Sequence, residues 1–117
     1  MSDKARRKEL RAQQGQTPPE AGVYLIRNNA TGKGLLGVTP NLGSVRNKLT
    51  FAQSTGTAAV LDRRLHDDIR RFGADAFTFD VLETLDVTPD MPPTAIQADL
   101  ATLEQLWREK LDPALLY

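Results

Sequence analysis

Two short apolar runs set the first limit on what this chain can fold into. Residues 23–26 and 35–38 carry Val23, Tyr24, Leu25, Ile26 and Leu35, Leu36, Gly37, Val38, and between them lie Asn28, Asn29, Ala30, Thr31 and Gly32. β-Branched and aromatic side chains favour extended strands, and Asn, Thr and Gly favour turns. Strands joined by so short a connection pair as an antiparallel hairpin. Upstream, residues 2–14 are strongly polar with Leu10 as their only leucine, and read as a solvated or frayed helix. Pro18 and Pro19 forbid its continuation, so residues 1–20 form a charged helical or flexible segment and residues 21–117 the domain.

Downstream of the hairpin the apolar period changes from two to that of a helix. Pro40 and Asn41 open a helical segment over residues 41–53, in which Leu42, Val45, Leu49 and Phe51 or Ala52 recur on one face despite Gly43. Thr57 is a natural N-cap for a second helix over residues 58–72, where Leu61, Leu65, Ile69 and Phe72 follow at intervals of four, four and three before Gly73. Residues 76–85 alternate Phe77, Phe79 and Val81 against Thr78, Asp80 and Leu82, which predicts a largely buried strand. A loop with three prolines over residues 86–93 precedes a helix over residues 94–111, with Ile96, Leu100, Leu103, Trp107 and Leu111 along one stripe. The order β-β-α-α-β-α predicts an α+β domain: a small three-stranded antiparallel or mixed sheet flanked by helices, with no internal repeat.

Composition narrows the chemistry. A chain of 117 residues, 40% hydrophobic and 26% charged, suits one globular domain and excludes wholesale disorder. The absence of cysteine removes disulfides, thiolate zinc sites and cysteine nucleophiles together. His66, the single histidine, lies off the apolar stripe of its helix and reads as a solvated surface residue. No apolar run reaches the roughly 18–20 residues of a membrane span, and the charged N-terminus has no signal-peptide core, so no membrane partner is expected and the cytoplasm is the default compartment. The zero net charge hides an asymmetry: 13 Lys and Arg against 6 Asp and Glu up to Phe72, then 2 against 9. That split fits either a basic binding face or an unevenly charged surface.

Two side chains stand out. Glu104 lies about 60° from the centre of the last helix's apolar stripe, so it borders the buried face, unlike the outward Glu109. The ordinary role of such a carboxylate is to pair with an arginine. Tyr24 follows Gly22, and glycine inside a strand marks close approach of a backbone or ligand. The ordinary role of Tyr24 is a core tyrosine with a satisfied hydroxyl. Gly-rich phosphate loops, HExxH and GxSxG are absent.

Taken in order, these segments resemble the GIY-YIG nuclease domain. Gly22, Val23, Tyr24 match its first triplet, Leu35, Leu36, Gly37 its second, and Gly37 to Leu42 its G-S-T-x-N-L segment. Residues 71–83, with Phe72, Gly73, Phe77, Phe79, Val81, Leu82 and Glu83, resemble its Y-G-x-x-x-F-x-F-x-V-L-E strand, and Glu104 with Trp107 its E-x-x-W helix. The resemblance implies metal-dependent hydrolysis of nucleic-acid phosphodiesters, DNA before RNA. It gives Tyr24 the activation or positioning of water and Glu104 a divalent ion, Mg²⁺ or Mn²⁺. Arg46 fills the catalytic arginine, one residue beyond the family's spacing, where Val45 stands; Leu35 replaces the second triplet's tyrosine; and no Asn follows Glu104. Lys33, Lys48, Arg63, Arg64 and Arg70 are the expected phosphate contacts, joined by Arg71 if the domain binds nucleic acid without cutting it. A protein-interaction scaffold, with Tyr24 and Glu104 structural, is the third reading.

Overall fold

Alternation along β1 (Ala21–Asn28) sends Val23 and Leu25 to one side of the sheet and Tyr24, Ile26 and Asn28 to the other, and all but Tyr24 are buried. Both faces of this strand must therefore be covered, and the computed structural model, which describes residues 20–117, shows how. The readings for residues 1–19 lie outside the described residues. β2 (Gly34–Thr39) pairs antiparallel with β1 in the register Tyr24↔Gly37 and Ile26↔Leu35. The expected hairpin turn is closed by Asn28 N–H to the Lys33 carbonyl at 2.7 Å, with Gly32 at φ +80°. β3 (Phe77–Leu85) pairs antiparallel on the opposite edge of β1, giving the order β2-β1-β3.

Helices α1 (Leu42–Thr55) and α2 (His66–Phe72) cover one face, burying Leu49, Ala52, Leu65 and Ile69 against Ile26, Leu35 and Phe77. Helix α3 (Pro93–Lys110) covers the other, packing Leu103 and Trp107 on Val23, Leu25 and Leu36. Each such side chain taken fully out of water contributes roughly 1.5–3 kcal/mol. The α+β class and the element order are those read from the sequence. α1 begins where Asn41 caps the Ser44 N–H at 3.1 Å and ends at Gly56, φ +72°.

Two local expectations are corrected. The periodicity predicts one helix over residues 58–72, but a 3-10 turn over Arg63–Leu65 followed by α2 occupies only its second half. Thr57 Oγ1 accepts the Ala59 N–H and closes a local turn, and the Leu61 N–H bonds the Ala58 carbonyl. Asp62, with extended ψ of 139°, is the working cap, its carboxylate taking the Arg64 N–H at 2.9 Å. Leu61 and Leu65 still reach the core, so helix-like apolar spacing survives without a continuous helix.

β3, predicted largely buried, is an edge strand in which only Phe77 is fully buried. Its alternation also breaks: Val23 faces Glu83 and Tyr24 faces Val81, leaving Leu82 without a partner in a bulge. The extra residue re-aims the strand end, so that Leu82 and Glu83 both turn towards α3. No helix among the described residues is long and apolar enough to cross a membrane.

Candidate functional site

The site begins with a missing side chain. A Cβ on Gly37 would stand 2.5 Å from Tyr24 Cζ and from its hydroxyl, so the tip of the Tyr24 ring lies over Gly37. The ring stacks on Phe79 of β3, centroids 5.6 Å apart and planes 19° from parallel. Arg46, on the exposed side of α1, places its guanidinium carbon 5.2 Å from the Phe79 centroid, a cation–π contact. Val45, at the spacing of the family's arginine, packs into the core instead. Arg46 forms no ion pair with a carboxylate among the described residues.

A second arginine enters from the turn before α2. Arg64 Nε donates to Asp62 Oδ1 and Nη2 to Oδ2, both at 3.0 Å, and the same carboxylate caps the Arg64 backbone. These bonds from the Arg64 side chain and backbone hold the Asp62 carboxyl down to about 2. Leu61 and Leu65, on either side of the pair, belong to the cluster on which Tyr24 packs. Arg64 therefore sits within electrostatic reach of the Tyr24 hydroxyl and of Glu104.

Glu104 comes from the opposite layer. Trp107, one turn along α3, donates its indole N–H to Glu83 at 2.8 Å, which ties the helix to the re-aimed end of β3. Glu104 is half-buried, and Arg108 lies 3.6 Å from it one turn further along. That contact is the ordinary pairing expected of a border carboxylate, yet the Glu104 charge also acts on Tyr24 and Arg64.

These neighbours determine the protonation of Tyr24. Burial first, and then the negative charge of Asp62, push its hydroxyl above the usual 10, with Arg64 opposing and Glu104 reinforcing the rise. At neutral pH Tyr24 is a protonated hydroxyl that donates a hydrogen bond, not a phenolate base. The expectation that this hydroxyl is satisfied in the core is corrected: it makes no hydrogen bond among the described residues. The ring overlies a glycine at the sheet surface, where no acceptor is supplied.

Of the residues singled out in the sequence, Tyr24 and Arg46 meet on the Phe79 ring, and Arg64 and Glu104 act on the Tyr24 hydroxyl through their charge alone. Lys33 sits in the hairpin turn, roughly 15 Å along the strand from Tyr24. Lys48 and Arg63 are exposed, and Arg70 is paired with Asp67 at 2.6 Å on the surface of α2. Leu35 is 2% exposed in the core and offers no polar atom. His66 is not a free surface residue: its Nε2 bonds the Leu61 carbonyl at 2.9 Å and pins the turn before α2. Sequence reasoning missed Phe79 and Asp62 as site residues. Phe79 carried only a strand signal, whereas Asp62, two residues before an arginine and near a helix start, carried a capping signal that Thr57 masked.

Among the described residues no group of three or more His, Asp or Glu is placed to hold a metal ion. With Asp62 committed to Arg64, Glu104 is the carboxylate that remains. One carboxylate fits Mg²⁺, which keeps several waters and takes substrate phosphate oxygens. No protein-family model, no curated protein and no solved structure matches the chain.

Proposed function

We propose that this domain is a GIY-YIG-like nuclease that hydrolyses phosphodiester bonds of nucleic acid, DNA before RNA, with Glu104 holding a divalent ion. The observation that carries this reading is that Tyr24 stacks on Phe79 beneath the Arg46 guanidinium while the charges of Arg64 and Glu104, from the turn before α2 and from α3, act on its hydroxyl. An exposed cation over an aromatic ring, a second cation on a stiff mount and a carboxylate whose charge reaches an unpaired hydroxyl suit a phosphate and an attacking water better than an apolar ligand. Mg²⁺ or Mn²⁺, when bound, supplies charge stabilisation at a phosphate oxygen. Tyr24, protonated, would position the attacking water, whose proton leaves to solvent, and Arg46 and Arg64 would neutralise the phosphate.

Purified protein should cut DNA or RNA in the presence of Mg²⁺ or Mn²⁺ and not in chelator. Glu104→Ala and Tyr24→Phe should each lower the rate by roughly 10²–10⁴-fold. One observation favours a second reading, a nucleic-acid-binding module without cleavage: Leu35 is buried where the family has a tyrosine hydroxyl, leaving one proton-handling group absent. Salt-sensitive binding without cleavage would establish that reading. Neither cleavage nor binding would overturn both.

A further inference from the structure

We infer that Arg64, mounted on Asp62, is the second phosphate-gripping group of the site. The inference rests on the nucleic-acid reading above and names how that site holds its substrate. A guanidinium has five N–H donors, and Asp62 takes two of them, on Nε and Nη2. The other three meet no acceptor among the described residues, and half of the side chain is open to solvent. The remaining edge is a planar fork of the kind that matches a phosphate.

The mount is stiff as well as charged. Asp62 is held by its own capping bond to the Arg64 backbone, and Leu61 and Leu65 are anchored in the core beneath Tyr24. An arginine already ordered loses less freedom when it binds. Arg70 shows the contrast: it also has an aspartate partner, but 76% of its side chain is exposed and it has no link to Tyr24 or Glu104. Arg46 lies over Phe79, the ring on which Tyr24 stacks, and Arg64 acts on the Tyr24 hydroxyl from the turn before α2, so the two guanidiniums reach the Tyr24–Phe79 pair from different elements.

The test is the salt dependence of binding to a short labelled DNA duplex in chelator, for wild type, Arg64→Gln, Arg64→Lys, Asp62→Asn and Arg27→Gln, with thermal melts to confirm folding. Arg27 pairs with Asp80 and projects to the other face of β1, so its variant should match wild type. Arg64→Gln should weaken binding roughly tenfold and make the slope of log affinity against log salt shallower by about 0.9, the loss of one phosphate contact. Arg64→Lys should keep the slope but not the full affinity. Asp62→Asn, which retains a capping oxygen, should keep the slope and bind roughly threefold more weakly, because the guanidinium is no longer held. A wild-type slope and affinity in Arg64→Gln would overturn the inference while the nucleic-acid reading stood. A wild type without salt-dependent binding to DNA or to the matching RNA would overturn both. Should Arg64→Gln not fold, Arg64→Lys decides: unchanged affinity there would remove the argument for a fork.

Discussion

Two glycines of the hairpin look alike in sequence and do different things. A Cβ on Gly22 would run into the backbone carbonyl of Glu83, which cannot move without opening the β1–β3 pairing, whereas a Cβ on Gly37 would meet only the far end of the Tyr24 ring. Gly22→Ala should therefore destabilise the fold by about 1–3 kcal/mol in urea denaturation. Gly37→Ala should leave stability closer to wild type but swing Tyr24 off Phe79 and remove its contribution to the site. Equal losses of stability in the two variants would contradict this. The two tyrosines give a second residue-scale prediction. Burial raises both hydroxyls above the usual 10, aided in Tyr117 by its hydrogen bond to Asp68. The folded protein thus keeps protons that the unfolded chain has begun to lose. This contribution to stability is complete below about pH 10 and is lost as pH rises through the folded pKa values. Ultraviolet titration should show both phenols ionising later in the native protein than in denaturant, with Tyr24→Phe assigning them; native midpoints at the ordinary value would refute it.

Elements divide into those set by local spacing and those set by competition. The stretch before α2 belongs to the second kind, because Thr57 and Asp62 are both capping residues and Asp62 adds a side-chain pair with Arg64. Asp62→Ala should cost about 1 kcal/mol and Asp62→Asn less, while Thr57→Ala should change little. The Asp62 carboxyl has a folded pKa of about 2 against 3.8 in the unfolded chain, so its contribution is present above about pH 4 and fades as pH falls towards 2. Acid unfolding of Asp62→Asn should lack that component. In the same segment Leu65, within the apolar spacing, is wholly buried, whereas Leu106, beside the apolar stripe of α3, is 47% exposed. Leu65→Ala should lose about 2–5 kcal/mol and Leu106→Ala less than about 0.5, measured by denaturant midpoint.

At the scale of the molecule, Tyr117 ties the hairpin turn to α2. Tyr117 donates its hydroxyl to Asp68 at 2.6 Å, Asn28 donates to that hydroxyl at 3.0 Å, and the Tyr117 N–H bonds the Gly34 carbonyl. Asn28 is fully buried, so removal of the hydroxyl in Tyr117→Phe leaves its amide with only the longer 3.4 Å bond to Asp68 and should cost about 1 kcal/mol. The charge asymmetry of the sequence also takes spatial form. α1, α2 and the turn before α2 carry Arg46, Lys48, Arg63, Arg64, Arg70 and Arg71 against Asp62, Asp67 and Asp68 on one layer, and α3 on the other carries Asp99, Glu104 and Glu109 against Arg108 and Lys110. What the sequence determined by itself was whatever depends on neighbours along the chain: the hairpin, the stop at Gly73, the α3 stripe and the element order. Those signals are local because turns, caps and apolar periods are set within a few residues. Tertiary structure alone decided that β3 is a bulged edge strand, that Asp62 outcompetes Thr57, that Phe79 joins Tyr24 to Arg46, and that the charge of Arg64 rather than Arg70 reaches the hydroxyl. Each of these depends on which distant surfaces bury one another, and burial is a property of the packed chain that no window of sequence contains.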